Sequence, residues 1–350
     1  MPKKNRTVKA REARPPTPDR KTAGVRMVDI AQLAGVSLIT VSRVLNMPHK
    51  VAPRTREAVE KAIERVGYVP NLVAGGLASN RSRMIGALVP TITTPIFADT
   101  VQGLSDVLER EGYAILLGQT GYDDDREQTL VSTMLGRRSE GLMIVAGAHT
   151  PATSKLLRFA GIPIVQTWDL ADAPIDLMVG FSHFEAGRAM TEHLISRGYR
   201  RVAFLGGGDP RSRARSAGCI AAMQAHGLEP PLLIPLASPA FMSAGSDAVE
   251  QLIGIRPRVD AAFFATDVFA LGAHLKCLEK GIRIPEDLAV AGFGDLEVAR
   301  HLVPGLTTVR IRSYEMGQSA AAILLGAIRG EPIAKRVIDT GFEIVARGST

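Results

Sequence analysis

The sequence predicts an all-α segment at the N-terminus, followed by an α/β core of two lobes that are each a doubly wound parallel sheet. Residues 30–46 have the apolar spacing and the punctuation of two short helices that meet at a tight turn. From Met84 onward, short apolar runs alternate with amphipathic stretches, as in a parallel sheet covered by helices on both faces. These βα units are too many for one compact sheet of ordinary width, so the core is expected to divide into two lobes.

The composition is that of a large globular protein. Of the 350 residues, 46% are hydrophobic, which suffices for a core of two or three domains. Cys219 and Cys277 are too few and too far apart to indicate a disulfide framework or a zinc site, which favours a reducing compartment. No apolar stretch approaches the roughly 20 residues that span a membrane, and no secretion signal is evident. A cytoplasmic protein without a membrane partner is therefore expected.

Positive charge is concentrated at the N-terminal end. Residues 1–80 contain 15 Lys and Arg against 6 Asp and Glu, a net charge of +9, so the remaining 270 residues carry −2 of the total of +7. Residues 1–24 combine basic side chains with Pro15, Pro16 and Pro18, which predicts a disordered basic arm. This arm either contacts nucleic-acid phosphates or is a solvated tail without a role.

The helical pair is organised around Gly35. Glycine adopts the left-handed backbone that often follows a helix end, and Ser37 can cap the next helix through its hydroxyl group, so a second helix is expected from Leu38. Three- and four-residue spacings allow the two helices to pack on each other through Ile30, Leu33, Ala34, Val36, Val41, Val44 and Leu45.

The opposite face of the second helix combines apolar and polar side chains. It carries Leu38, Ile39, Ser42, Arg43 and Asn46. A helix of this kind fits the major groove, where Arg43 can bond a guanine edge with two hydrogen bonds and the apolar pair can touch thymine methyl groups. Geometry alone leaves open a helical hairpin that does not bind DNA, since any small helical hairpin has a capped helix and an apolar seam.

Residues 25–46, which include VDIAQLAGVSLITVSRVLN, closely resemble the DNA-reading headpiece of the lac repressor family, bacterial sugar-responsive transcription regulators. The resemblance continues through RTREAVEKAIERVGYVPN and implies a helix-turn-helix headpiece over residues 25–70 and a homodimer on double-stranded, palindromic operator DNA. Arg26 and Ala52 stand where the family usually has capping hydroxyls, each loss costing about 1 kcal/mol. Implied DNA contacts come from Ser37, Leu38, Ile39, Thr40, Ser42, Arg43 and Asn46.

Residues 71–80 resemble the hinge helix of this family, which forms only on operator DNA. Leu77 matches the leucine that is wedged between base steps in the minor groove, and Asn71 also matches a DNA-contacting position. Gly75 and Gly76 should each weaken such a helix by about 1 kcal/mol relative to alanine. The alternative is a plain flexible linker.

The core has seven expected strands and six expected helices. The strands are residues 85–89, 114–117, 141–145, 163–166, 202–205, 261–265 and 288–291. The helices are residues 98–111, 126–135, 184–196, 213–225, 268–280 and 314–328. The family resemblance implies a periplasmic-binding-protein-like pair of lobes, the first comprising residues 84–181 and 312–338 and the second residues 182–311 and 339–350. It also implies three crossings between the lobes, near Phe181, Arg310 and Thr340.

A small-molecule ligand is expected between the lobes, because sites in such sheets lie beyond the carboxyl ends of the strands. Asp169, Arg215, Asp267 and Asp295 follow predicted strands and match positions at or beside the effector pocket of the family. Asp267 can equally cap its own helix, and Asp295 can be structural. The remaining candidates for effector contact are Thr94, Phe97 and Phe241.

Within the family, the chain is most similar to the gluconate operon repressors. The segments GAHTPATSKLLRFAGIPIVQTWD and VGFSHFEAGRAMTEHLISRGYRRVAFLGG and the ending DTGFEIVARGST carry this resemblance. It implies a repressor that releases its operator on binding gluconate or a related sugar acid. Thr94, Thr266 and Gly294 depart from that branch and leave open a ketogluconate, a sugar phosphate or a neutral sugar.

Enzyme classes are disfavoured one at a time. Residues 206–208 and 292–294 lack the third glycine of the dinucleotide-binding spacing, and GxSxG, HExxH and a Walker phosphate loop are absent from the sequence. Asp123–Asp125 lacks the glycine and the terminal glutamate of a calcium loop, and the histidines form no metal-ligand pair. Neither a cofactor nor a metal is expected. A two-lobed solute-binding protein is the rival from another class, and it would need a secretion signal; a dehydrogenase is the weaker rival.

Overall fold

The computed structural model describes residues 25–68, 82–145, 149–171, 173–237 and 240–350. They belong to two compact units, residues 1–80 and residues 81–350. The predicted basic arm over residues 1–24 and the predicted hinge, with Asn71 and Leu77, lie outside the described residues.

The first unit is a three-helix headpiece made of α1 (Met27–Ala34), α2 (Leu38–Asn46) and α3 (Pro53–Val66). Gly35 ends α1 with a left-handed backbone at φ 66°, and the Ser37 hydroxyl accepts a hydrogen bond from the Thr40 N–H at 3.2 Å, so both predicted signals are confirmed. The centre is formed by fully buried Ile30, Val41 and Val59. Leu33 was expected in this core and is instead 49% exposed, because its position on α1 turns away from α2 and α3.

Asp29 partly replaces the hydroxyl that Arg26 lacks at the start of α1. The Arg26 backbone N–H donates to the Asp29 carboxylate at 2.7 Å, which satisfies one donor of the helix N-terminus. Ala52 makes no side-chain cap, and Pro53 occupies the first helical position of α3, where its missing N–H costs nothing.

The core contains two six-stranded sheets. Five strands of the first sheet come from residues 84–180, and the sixth returns from near the C-terminus. Its strands are β1 (Met84–Val89), β2 (Ala114–Gln119), β3 (Gly141–Val145), β4 (Ile164–Thr167), β5 (Leu177–Gly180) and β11 (Val337–Asp339). All of its pairings are parallel, in the spatial order β11-β5-β4-β3-β1-β2.

The strands of the second sheet are β6 (Val202–Gly206), β7 (Leu232–Pro235), β8 (Ala261–Phe264), β9 (Ala289–Gly294), β10 (Thr307–Ile311) and β12 (Phe342–Val345). Their spatial order is β12-β10-β9-β8-β6-β7. The edge strand β12 pairs with β10 in the antiparallel sense, a detail that the expected parallel sheets did not include. The chain passes from one sheet to the other after β5, after β10 and after β11, so the lobe of each sheet is built from separate segments.

Eight helices of the described core cover the two sheets. They are α4 (Pro95–Arg110), α5 (Asp124–Gly136), α6 (Pro151–Arg158), α7 (His183–Ser196), α8 (Pro210–Ala225), α9 (Met242–Gly254), α10 (Asp267–Glu279) and α11 (Ser313–Ile328). The predicted fold class is confirmed, although α6, α9 and the strands β5, β7, β10, β11 and β12 were not anticipated. No single described helix is long and apolar enough to cross a membrane; α1 and α2 reach that length only together, with a bend of 104° between them.

Three pairs of core helices cross at reciprocal glycines. The pairs are α4 with α11, α7 with α8, and α9 with α10, and their glycines are Gly103, Gly317, Gly187, Gly218, Gly245 and Gly272. A Cβ on Gly187 would lie 2.1 Å from the Arg215 carbonyl oxygen, and one on Gly218 would lie 2.0 Å from the Phe184 carbonyl oxygen. The helices of each pair therefore touch backbone to backbone, which only glycine permits.

Candidate functional site

The headpiece presents one face of α2 to solvent. Leu38 is 49% exposed, Ile39 is 65% exposed and Arg43 is exposed, whereas Ser42 is half-buried. The hydroxyl groups of Ser37 and Thr40 lie 2.9 Å apart at the start of the helix. The side chain of Asn46 lies outside the described residues. The exposed face is thus an apolar pair followed, one turn later, by a guanidinium group, at the spacing that suits a major-groove helix.

A cleft opens between the lobes at the carboxyl ends of the strands. The first lobe contributes Thr91, Thr94, Ile96, Phe97, Tyr122 and Trp168 to its wall. The second contributes His183, Gly207, Asp209, Arg211, Arg215, Ala240, Ala265, Thr266, Phe269 and Phe293. A wider cavity of about 380 Å³ shares Tyr122, Asp209 and Arg211 with this wall, so the two form a continuous cleft.

Arg215 is the central cation of the cleft. It lies on α8 and is 7% exposed, with its guanidinium carbon 4.3 Å from the centre of the Phe293 ring. Its Nη1 lies 2.8 Å from His183 Nδ1, and its Nε is buried without a hydrogen-bond partner among the described residues. Burial lowers the pKa of Arg215 to about 10, so the side chain is still positively charged near neutral pH.

Asp169 and Arg211 form an ion pair beside Arg215. Asp169 Oδ2 lies 3.3 Å from Arg211 Nε, yet the same oxygen has no hydrogen-bond partner among the described residues. Burial raises the pKa of Asp169 to about 6, although Arg211 and Arg215 oppose the shift. The cleft therefore combines two guanidinium groups with a carboxylate that has free hydrogen-bonding capacity.

The structure brings some of the predicted effector residues to the cleft. Thr94, Phe97 and Arg215 line it, and Asp169 contacts the lining residue Arg211. Phe97 packs on Trp168 edge to face, with ring centres 4.8 Å apart.

Asp267, Asp295 and Phe241 do not line the cleft themselves, although Asp267 directly follows the lining residue Thr266. Asp267 is fully buried and accepts hydrogen bonds from the Thr308 hydroxyl at 2.6 Å and the Leu296 N–H at 2.8 Å. Burial raises its pKa to about 6. It does not cap α10 either, because the Thr266 hydroxyl accepts the hydrogen bond from the Val268 N–H. Asp267 instead ties β10 to the loop that follows β9.

Asp295 is structural, as the sequence left open. Its carboxylate pairs with Arg310 Nε at 2.7 Å and Arg347 Nη2 at 2.6 Å, so both oxygens are engaged. Phe241 precedes α9 and is 62% exposed, while its neighbour Ala240 lines the cleft. The predicted effector contact of Phe241 stays a prediction.

Sequence reasoning missed His183, Arg211 and Trp168. Arg211 carried a signal, since it precedes Arg215 by four residues and therefore shares its face of a helix. His183 and Trp168 carried none, because their roles depend on contacts between segments that are distant in the chain.

Comparison with known proteins decides the family. The model described as bacterial regulatory proteins, lacI family, matches residues 26–71, and that of the periplasmic binding protein-like domain matches residues 191–350. The HTH-type transcriptional regulator GntR of Escherichia coli strain K12 is 35% identical over 322 residues, covering 92% of this chain and 97% of that protein. The chain belongs to the lacI family of bacterial regulatory proteins.

Solved structures of this lacI family agree in fold. A LacI family regulator from Silicibacter pomeroyi has a TM-score of 0.87 at 31% identity, covering 93% of this chain and 99% of its own. The lac repressor dimer bound to operator and the anti-inducer ONPF has a TM-score of 0.81 at 27% identity, covering 93% of this chain and 98% of its own. As a lacI-family member with an intact headpiece and a two-lobed core, the protein is a DNA-binding transcriptional repressor.

Proposed function

We propose that this lacI-family repressor binds a palindromic operator as a homodimer and releases it on binding gluconate or a closely related sugar acid. The α2 face supplies one DNA-reading helix per chain, and a palindrome requires two. Relatives point to the ligand class, since the regulators named GntR from Escherichia coli and Pseudomonas aeruginosa are each 35% identical to this chain. We propose no catalytic step for the protein, and we propose that it acts in the cytoplasm, where chromosomal DNA lies.

Arg215 is the observation that supports a sugar acid. Among the described residues of the cleft, Asp169 forms an ion pair with Arg211, and Arg215 forms none. A buried cation without a carboxylate in contact is unfavourable unless a ligand supplies the anion. A carboxylate meets the guanidinium group with paired, charge-assisted hydrogen bonds, and Asp169 can accept hydrogen bonds from hydroxyl groups. A neutral sugar would offer the guanidinium group no carboxylate, and the charge of Arg215 would then be balanced only by Asp209 and Asp169, which form no ion pair with it.

A ligand screen by thermal unfolding tests this assignment. Gluconate at 100 times its dissociation constant is expected to stabilise the protein by about 2.7 kcal/mol. Glucose, purines and 6-phosphogluconate at equal concentration serve as comparison ligands. If only neutral sugars or purines raise the midpoint temperature of unfolding, the effector is not a sugar acid. The reason would then be sought at Thr94, Thr266 and Gly294, where the chain departs from the gluconate branch.

Arg43 is expected to carry sequence-specific DNA recognition. The Arg43→Ala variant should lose about 1–3 kcal/mol of operator affinity and relax the preference at one base pair. Gel shifts on operator variants measure both effects. Lys61→Ala on α3 is the control, because Lys61 is exposed and paired with Glu57, and its loss should not change base preference. Unchanged affinity in Arg43→Ala would show that α2 does not read the bases.

A further inference from the structure

His183 occupies the junction of the two lobes. It is the first residue of α7, directly after the crossing that follows β5, and only 4% of it is exposed. Its Nδ1 faces Arg215 Nη1 at 2.8 Å, and its Nε2 faces the Trp168 carbonyl oxygen at 2.9 Å. A guanidinium group can only donate and a carbonyl oxygen can only accept, so the ring must be neutral with its proton on Nε2. Burial and the neighbouring guanidinium groups lower the pKa of His183 well below its usual range, which keeps this form populated.

On the other side of His183 lies the wall of the first lobe. Trp168 follows β4 with a left-handed backbone at φ 78°, a conformation that a non-glycine residue keeps only where contacts hold it. Its indole N–H donates to the Thr100 hydroxyl on α4 at 3.1 Å. A continuous series of polar contacts therefore runs from Arg215 in the second lobe, through His183 and Trp168, to α4 in the first lobe.

We propose that His183 is a positioning residue that couples anion binding at Arg215 to the first lobe through the carbonyl group of Trp168. The proposal rests on the proposed function, because it takes Arg215 as the anchor of the effector. An anion that turns the Arg215 guanidinium changes the hydrogen bond to Nδ1, and the ring passes the displacement to Trp168 because both of its nitrogens are engaged. Effector binding and operator release are then linked through one imidazole ring.

Two substitutions separate the two hydrogen bonds. In His183→Asn, the amide oxygen can take the place of Nδ1 and accept from Arg215, but the side chain is too short to reach Trp168. In His183→Gln, the amide nitrogen can take the place of Nε2 and donate to Trp168, while the contact with Arg215 is lost. If His183 had only a structural role, the two variants would show the same gluconate affinity and the same operator release.

The first measurement uses the full chain with gluconate as the probe. Calorimetry gives the gluconate dissociation constant, and fluorescence anisotropy gives the ratio of operator dissociation constants with and without saturating gluconate. Coupled sites typically change each other's affinity about 5- to 150-fold. His183→Asn should keep gluconate affinity within about threefold of the wild type but lose most of that ratio, whereas His183→Gln should bind gluconate at least about tenfold more weakly. If the ratio of operator dissociation constants with and without gluconate is the same in His183→Asn as in the wild type, the proposal is wrong.

The second measurement needs no ligand. Trp168 is the only tryptophan of the chain and is 1% exposed, so acrylamide quenching of its fluorescence reports how firmly it is held. Quenching should increase in His183→Asn and stay near the wild-type value in His183→Gln. Equal quenching in all three proteins overturns the link between His183 and Trp168. If the wild type does not bind gluconate, the proposed function fails, and the quenching comparison still decides this link.

Discussion

The Arg215→Ala variant is expected to bind operator as tightly as the wild type and to show no response to gluconate. Arg215 lies in the core unit, whereas the DNA-reading face of α2 belongs to the headpiece. Removing the guanidinium group takes away the partner of the effector carboxylate, a change that costs about 2–5 kcal/mol in buried charged contacts. Operator titrations by fluorescence anisotropy, with and without gluconate, measure both properties. In a cell, the phenotype would be permanent repression.

Arg213→Ala is the matched control for Arg215. Arg213 lies on the same helix, α8, but is exposed and donates to the Gly208 carbonyl oxygen. This variant should respond to gluconate as the wild type does. If Arg215→Ala released operator at the same gluconate concentration as the wild type, another group would anchor the anion. Arg211 would then be the next candidate.

The Gly187→Ala variant is expected to destabilise the core and to weaken the gluconate response. Its Cβ would lie 2.1 Å from the Arg215 carbonyl oxygen and 2.8 Å from the Arg215 Cα, and backbone atoms at that distance can be relieved only by moving the helix. Separating α7 from α8 costs about 1–3 kcal/mol or more, as for other overpacked sites. The displacement also shifts Arg211 and Arg215 relative to His183. Urea unfolding and a gluconate titration of the same protein measure the two effects.

Gly136→Ala controls for the change from glycine to alanine. Gly136 ends α5, and no heavy atom lies within 4 Å of the position that its Cβ would take. This substitution should leave stability unchanged or raise it by up to about 1 kcal/mol, because alanine favours the helix. If Gly187→Ala were as stable as Gly136→Ala, the close approach of α7 and α8 would not be a constraint on the core.

The headpiece was predictable because its signals are local. The turn at Gly35 and the cap at Ser37 each depend on residues within four positions along the chain. The compensation of Arg26 by Asp29 was also within reach, since the two are three residues apart. Only Leu33 was misplaced, because helical spacing tells which residues share a face but not how wide the buried stripe is.

The core was predictable at the level of its βα units, and the cleft only in part. The seven predicted strands gave clear apolar runs, whereas the edge strands β7, β11 and β12 are short or exposed and gave none. The interior strands β5 and β10 were also missed, because the apolar run of β5 is only three residues long and β10 contains two threonines and an arginine. The position of Arg215 followed from its place after a strand. The carboxylates of Asp267 and Asp295 are engaged by Thr308, Arg310 and Arg347 and not left free for a ligand in the cleft. These partners lie more than ten residues away in the chain, so local sequence patterns do not reveal them.

The sequence by itself determined the DNA-reading helix, the alternation of strands and helices, and the presence of an arginine where a ligand would lie. Tertiary structure alone decided that Arg215 is buried without a carboxylate in contact among the described residues, that His183 joins it to Trp168, and that α7 and α8 touch through Gly187 and Gly218. The reason is physical. Caps, turns and periodicity act over a few residues, whereas burial, charge compensation and backbone contact are set by neighbours that only folding brings together.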